Sequence, residues 1–106
     1  MVDHFIPWSR YPTDLGHNFV LADSSCNNQK RDLLAALPHL KRWRQRNVER
    51  GPELVEYFDE LSICYNLEGS HQVALWAYQQ AEIVGANVWL SKNEIVPLNP
   101  GWKNLF

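Results

Sequence analysis

Cysteine is scarce in this chain, which has two, Cys26 and Cys64. Two thiols cannot build a disulfide framework, and without a Cys-x-x-Cys pair no structural zinc is expected. Both read as reduced thiols, with Cys26 a small buried residue. Long apolar runs are missing as well. No stretch approaches the ~18–20 consecutive apolar residues of a membrane span, so no membrane is expected among the partners. The opening Met-Val-Asp-His has no basic segment ahead of an apolar one, as a signal peptide requires, so the expected location is cytoplasmic. Internal repeats and low-complexity segments are absent too.

What is present suits a small soluble fold. The chain has 106 residues, 45% hydrophobic and 21% charged, and five tryptophans give it the material for a modest core. The length fits one domain, or one small unit with an appendage. The net charge of −2 conceals an asymmetry, because seven of the ten basic residues lie between Lys30 and Arg50 while the second half is acidic. A basic segment is what a phosphodiester substrate requires, although a solvated helix face explains the same charges.

Periodicity and breakers divide the chain. Met1–Ile6 reads as a strand end stopped by Pro7, and Trp8–His17 has turn chemistry. Asn18–Ala22 is a short β-type run. A helix capped by Asp23, Ser24 or Ser25 is expected through about Leu37, with Leu33, Leu34 and Leu37 as its apolar stripe. Pro38 should end it, and a second helix should run over 38–48. Gly51-Pro52 reads as a break before a helix over 53–65. Glu68-Gly69 should separate that helix from another, capped by Ser70 and ended by Gly85. The tail shows β-like pieces at 88–90 and 94–96, with Trp89, Trp102 and Phe106 folding back on the helices. Trp43, Trp76, Trp89 and Trp102 are all expected in the core. The fold class is α+β, divided into a unit at 1–37 and a mainly helical extension at 38–106.

The chemistry is concentrated near the start. Val2-Asp3-His4-Phe5-Ile6-Pro7, then Asn18-Phe19-Val20-Leu21, then Cys26-Asn27-x-x-Lys30 bring a carboxylate, an imidazole and a carboxamide into one hairpin-plus-helix unit. His4 is the best candidate base, since an ordinary imidazole accepts a proton near neutrality. Asp3 offers an anionic oxygen and Asn27 a neutral amide oxygen, a thin set of hard donors that suits one divalent cation, Mg²⁺ or alternatively Mn²⁺. Asn18 is placed to hydrogen-bond across the loop and fix the backbone that aims His4. Lys30 shares a helix face with Asn27 and could meet a phosphate, as could Arg10 and Arg31.

These three elements, in this order and spacing, resemble the HNH endonuclease family. Asp-His with two hydrophobic residues and a proline, the central Asn-hydrophobic strand, and the helical Cys-Asn-x-x-Lys are its marks. The spacing of nine from Asn18 to Asn27 is also that of the HNH domains in RNA-guided CRISPR nucleases. The resemblance covers roughly residues 2–32 and implies a ββα-metal fold that nicks or cuts nucleic acid. It implies His4 as general base, Asp3 and Asn27 as metal ligands and Asn18 as the orienting residue. Family members usually carry a strand before Asp-His, and many carry an upstream Cys-x-x-Cys; here only Met1 and Val2 precede Asp3. The expectation that follows is an N-terminally truncated member, the C-terminal part of a longer nuclease.

The remaining candidates have blander readings. His17 reads as a loop histidine ahead of a phosphate contact or an assistant to the site, and His39 and His71 read as structural. Arg44 and Arg46, with Lys41 and Arg42, are either a phosphate-tracking surface or solvated. The functional expectation is a metal-dependent endonuclease acting on DNA. Two alternatives remain: a catalytically impaired nucleic-acid-binding fragment, and an interaction module that binds the missing N-terminal portion or another protein.

Overall fold

In the computed structural model Val2–His4 (β1) lies antiparallel to Phe19–Leu21 (β2), with Val2 opposite Leu21, Asp3 opposite Val20 and His4 opposite Phe19. The structure describes residues 2–7, 10, 15–21, 30 and 33–106, of which residues 2, 3, 19 and 21 are described for the backbone only. Gly16–Asn18 forms a 3-10 turn leading into β2. Two long helices follow, Leu37–Glu60 (α1) and Leu67–Val84 (α2). A second hairpin pairs Asn87–Ser91 (β3) with Glu94–Pro97 (β4), and a 3-10 helix over Pro100–Leu105 closes the chain. The expected α+β class is what is observed. Of the helix expected after β2, Lys30 is helical and the rest of its first part lies outside the described residues.

Four boundaries differ from the sequence reading. Residues 33–36 are not the end of a helix. Ala35 bridges Trp89 in parallel, with Trp89 N–H donating to Leu34 O (2.9 Å) and Ala36 N–H donating to Trp89 O (2.8 Å). Leu34, Ala35 and Ala36 are all buried, so the extended segment inserts against β3; Pro38 opens the next helix as expected, but the residues before it are extended and it ends none.

Gly51-Pro52 does not break α1. A proline inside a helix costs about 3 kcal/mol, for the missing N–H and the ring's clash with the preceding turn. Leu40, Trp43, Asn47, Gly51 and Phe58 nevertheless form one buried stripe that stays in helical register across the proline. Pro52 itself faces out. Packing on both sides of the proline outweighs its local cost. The helix stops at Glu60 instead of reaching Tyr65, and Ser62 takes a left-handed conformation (φ 55°).

The start of α2 is likewise earlier than expected. Asn66 is the cap, its side chain accepting from Gly69 N–H at 2.8 Å, while Ser70 is buried inside the helix. Gly85 does end α2, in the left-handed conformation that a glycine adopts without Cβ strain. The two β pieces of the tail fall where expected, one residue longer at most ends.

One cluster of buried residues joins the hairpin (Phe5, Ile6), the extended segment (Leu34–Ala36), α1 (Leu40, Trp43), α2 (Ala74, Ala77, Tyr78, Ala81), β3 (Val88) and the tail (Trp102). Alanines along α2 let the backbone come close to this layer. Trp43 and Trp102 are core as expected. Trp76 is not: it is 44% exposed, on the side of α2 away from the alanine stripe. Trp89 is half-buried and stacks on His39. Among the described residues no helix is long and apolar enough to cross a membrane.

Candidate functional site

The β1–β2 hairpin has very little ladder, three residue pairs, so something other than strand length must hold it. Asn18 does this. Its side-chain Oδ1 accepts from Ile6 N–H (2.8 Å) and its Nδ2 donates to Ile6 O (3.1 Å), while its own carbonyl accepts from Phe5 N–H (2.7 Å). Asn18 and Ile6 are both buried, 5% and 0% exposed. Three hydrogen bonds therefore lock the backbone one and two residues beyond His4. Each is worth more here than at the surface, because no water can replace it.

His4 ends β1 and is half-buried. Lys30, which follows β2 in the chain, reaches the same strand end. The ammonium donates to Phe5 O (3.1 Å) and His4 O (3.5 Å), and the residue is 8% exposed. A lysine expected at a phosphate-facing surface is thus turned inward, tied to the strand end. Arg10 lies in a turn, its N–H donating to Pro7 O at 2.9 Å. The side chain of Asp3 and the whole of Asn27, Arg31 and Cys26 lie outside the described residues. Among the described residues no group of three His, Cys, Asp or Glu is arranged to hold a metal ion.

His17 is no loop histidine. It is fully buried in the turn that leads into β2, edge-on to Phe58 and Tyr65, and among the described residues neither ring nitrogen has a hydrogen-bond partner. Burial lowers its pKa below the ordinary value; the Gly51 backbone opposes this and the Arg46 charge adds to it. Its carbonyl, by contrast, is doubly occupied: Trp43 Nε1 donates to it at 2.9 Å and Arg46 Nη2 at 2.7 Å.

Behind those donors lies a polar network between the helices. Arg46 also donates to Asn47 Oδ1 from Nε (3.1 Å) and Nη2 (2.8 Å), and Asn47 Nδ2 lies 3.2 Å from His71 Nε2. Arg44 donates to His71 Nδ1 from its guanidinium and to Leu105 O from Nε. Burial lowers the His71 pKa to about 4, with the charges of Arg44 and His17 pushing the same way. Arg44 and Arg46 are therefore tied into the fold rather than free for a phosphate-tracking surface. His39 has a structural place too, its ring between Leu90 O and Arg42. The sequence did hold a signal for this network. Asn47 is a polar residue on the apolar stripe between Trp43 and Gly51, where only a side chain with buried partners belongs.

The comparisons bear on the same segment. An HNH endonuclease family model matches residues 1–36. The matched segment contains Asp3, His4, Arg10, Asn18, Asn27, Lys30 and Arg31, together with the whole β1–β2 hairpin. It suggests a nuclease acting on nucleic acid. It spans under half of the chain, and α1, α2 and the second hairpin lie beyond it. No curated protein matches the chain, and no solved structure does.

Proposed function

We propose that the chain is a metal-dependent HNH-type endonuclease that hydrolyses phosphodiester bonds in DNA in the cytoplasm. The observation that carries this reading is the Asn18 clamp on Ile6, in the segment matched by the HNH endonuclease model. A clamp of three buried hydrogen bonds, on a hairpin this short, holds the strand end that bears His4 and aims the imidazole.

In this reading the nuclease unit is residues 1–37, and residues 38–106 are its helical extension. His4 takes the proton from the attacking water as general base. Asn18 orients that strand end. Asp3 and Asn27 hold one divalent cation, Mg²⁺ or Mn²⁺. Both amide atoms of Asn18 are already bonded to Ile6, so the donor set left to the cation is a carboxylate and a carboxamide oxygen, a hard set that fits Mg²⁺. When bound, the cation supplies charge stabilisation at the phosphate. Arg10 and Arg31 contact the DNA backbone, and Lys30 sets the distance between helix and strand.

The test is incubation of supercoiled plasmid with the pure protein in Mg²⁺, Mn²⁺ or EDTA. Nicking is expected with either metal and not with EDTA, and His4→Ala should abolish it while leaving the circular dichroism spectrum unchanged. Undiminished nicking by the pure His4→Ala protein rules out the base assignment.

A further inference from the structure

The matched segment ends before α1 begins, yet α1 holds the turn on which the clamp depends. We infer that Trp43 and Arg46 are positioning residues of the hairpin site, acting on His4 through the His17 carbonyl and Asn18. The inference rests on the nuclease reading above.

The His17 carbonyl and the Asn18 N–H belong to one peptide plane, which cannot flex about its own bond. Both of its ends are fixed. The oxygen accepts from Trp43 Nε1 (2.9 Å) and Arg46 Nη2 (2.7 Å), and the Asn18 N–H donates to Leu15 O (3.0 Å). With the plane held, the Asn18 Cα is set, and the bond from Phe5 N–H to the Asn18 carbonyl (2.7 Å) restrains rotation on the other side of that Cα, so that the carboxamide leaves the chain toward Ile6. Trp43 and Arg46 lie three residues apart on one side of α1, so a single helix delivers both donors.

The donors are held in turn. Trp43 stacks flat on Phe5, with ring centroids 4.5 Å apart and 4° between planes, so it grips the turn and the strand end at once. Arg46 is aimed by the Asn47 carboxamide, itself fully buried beside His71 of α2. Partly desolvating a guanidinium is costly, and an apolar side chain would fill the space at lower cost. What a planar, forked cation adds is direction.

The test separates anchoring from chemistry. Trp43→Phe keeps an aromatic ring beside Phe5 and deletes the N–H, together with part of the buried indole, whose loss the melting curve reads. Arg46→Ala deletes the second donor, and Arg46→Lys keeps a single one. With melting curves showing that each variant folds, two quantities are measured: Mg²⁺-dependent plasmid nicking, split into kcat and KM, and hydrogen exchange at Ile6 N–H. Trp43→Phe and Arg46→Ala should lower kcat about 10- to 100-fold at unchanged KM, since a small misplacement of a reacting group has that effect. Arg46→Lys should recover part of the loss, and Ile6 exchange should speed several-fold in the two deletions. Folded variants with wild-type kcat, or a loss confined to KM, overturn the inference. If the unaltered protein cleaves no DNA, the nuclease reading fails, and exchange alone decides the anchoring: faster exchange at Ile6 in Trp43→Phe sustains it and wild-type rates overturn it.

Discussion

The ring of His17 stands edge-on to Phe58, 5.1 Å between centroids and 85° between planes, inside the protein with no hydrogen bond to either nitrogen among the described residues. Its environment accepts the neutral imidazole and penalises the cation. His71, nearby in α2, is in the same position beside Arg44.

Stability should therefore fall with acid in a defined window. An imidazole in the unfolded chain protonates near its ordinary value of 6.5, while folded His71 resists down to about 4 and His17 is also lowered. Between those values the unfolded state binds more protons than the folded state, so the free energy of unfolding decreases as pH decreases. Above 6.5 the two states bind alike and these groups add no slope. Urea midpoints measured at about pH 7, 5.5 and 4.5 should decline in the unaltered protein. In His71→Gln the decline should be shallower. Equal slopes for the two proteins would show that His71 is not held neutral.

The turn before β2 allows a sharper packing test. A Cβ at Gly16 would lie 2.7 Å from Phe58 Cε2 and 2.8 Å from Cδ2. Phe58 cannot swing clear, because it is buried and flanked by His17 and Tyr65. Gly16→Ala should lower stability by about 1–3 kcal/mol, the range for overpacked sites. Adding Phe58→Leu to Gly16→Ala should cost less than the two single changes summed, since the leucine removes the clash. A wild-type urea midpoint for Gly16→Ala would contradict the close approach.

These relationships show which parts of the fold were legible in the sequence. Asn18 was, because a carboxamide before a short strand has few tasks other than bonding across the loop. Gly85 and the two β pieces of the tail were also legible, since a left-handed helix stop and β-type runs are properties of a few adjacent residues. The Gly51-Pro52 break and the Ser70 cap were misread for the opposite reason. Local rules disfavour a helix at Pro52, but Leu40 and Trp43 pack in the shared core before it and Phe58 packs against the Gly16–His17 turn after it, and only the assembled structure contains those contacts. The Leu33–Leu37 stripe failed similarly. Consecutive buried residues in an extended segment resemble a helix face until β3 is there to pair with it. His17 carried no signal at all, because nothing local tells a loop imidazole from one walled in by two distant helices.

Lys30 offers a test that distinguishes structure from recognition. Its ammonium donates to the carbonyls of Phe5 and His4 and the residue is buried, so its removal leaves two carbonyls short of a donor next to the strand end. Lys30→Ala should lower stability by about 1–3 kcal/mol, the usual effect of breaking a charge-assisted buried contact. A lysine that neutralises a DNA phosphate behaves differently. Deleting it reduces the slope of log binding constant against log salt by about 1, because one fewer counterion is released. Binding of a short duplex titrated across salt concentrations should therefore keep its slope in Lys30→Ala, while the urea midpoint falls. Arg10→Ala should show the converse, a shallower salt slope with a smaller change in midpoint. A slope reduced by about 1 in Lys30→Ala would return Lys30 to the DNA-facing surface, with its bonds to Phe5 and His4 exchanged for a phosphate on binding.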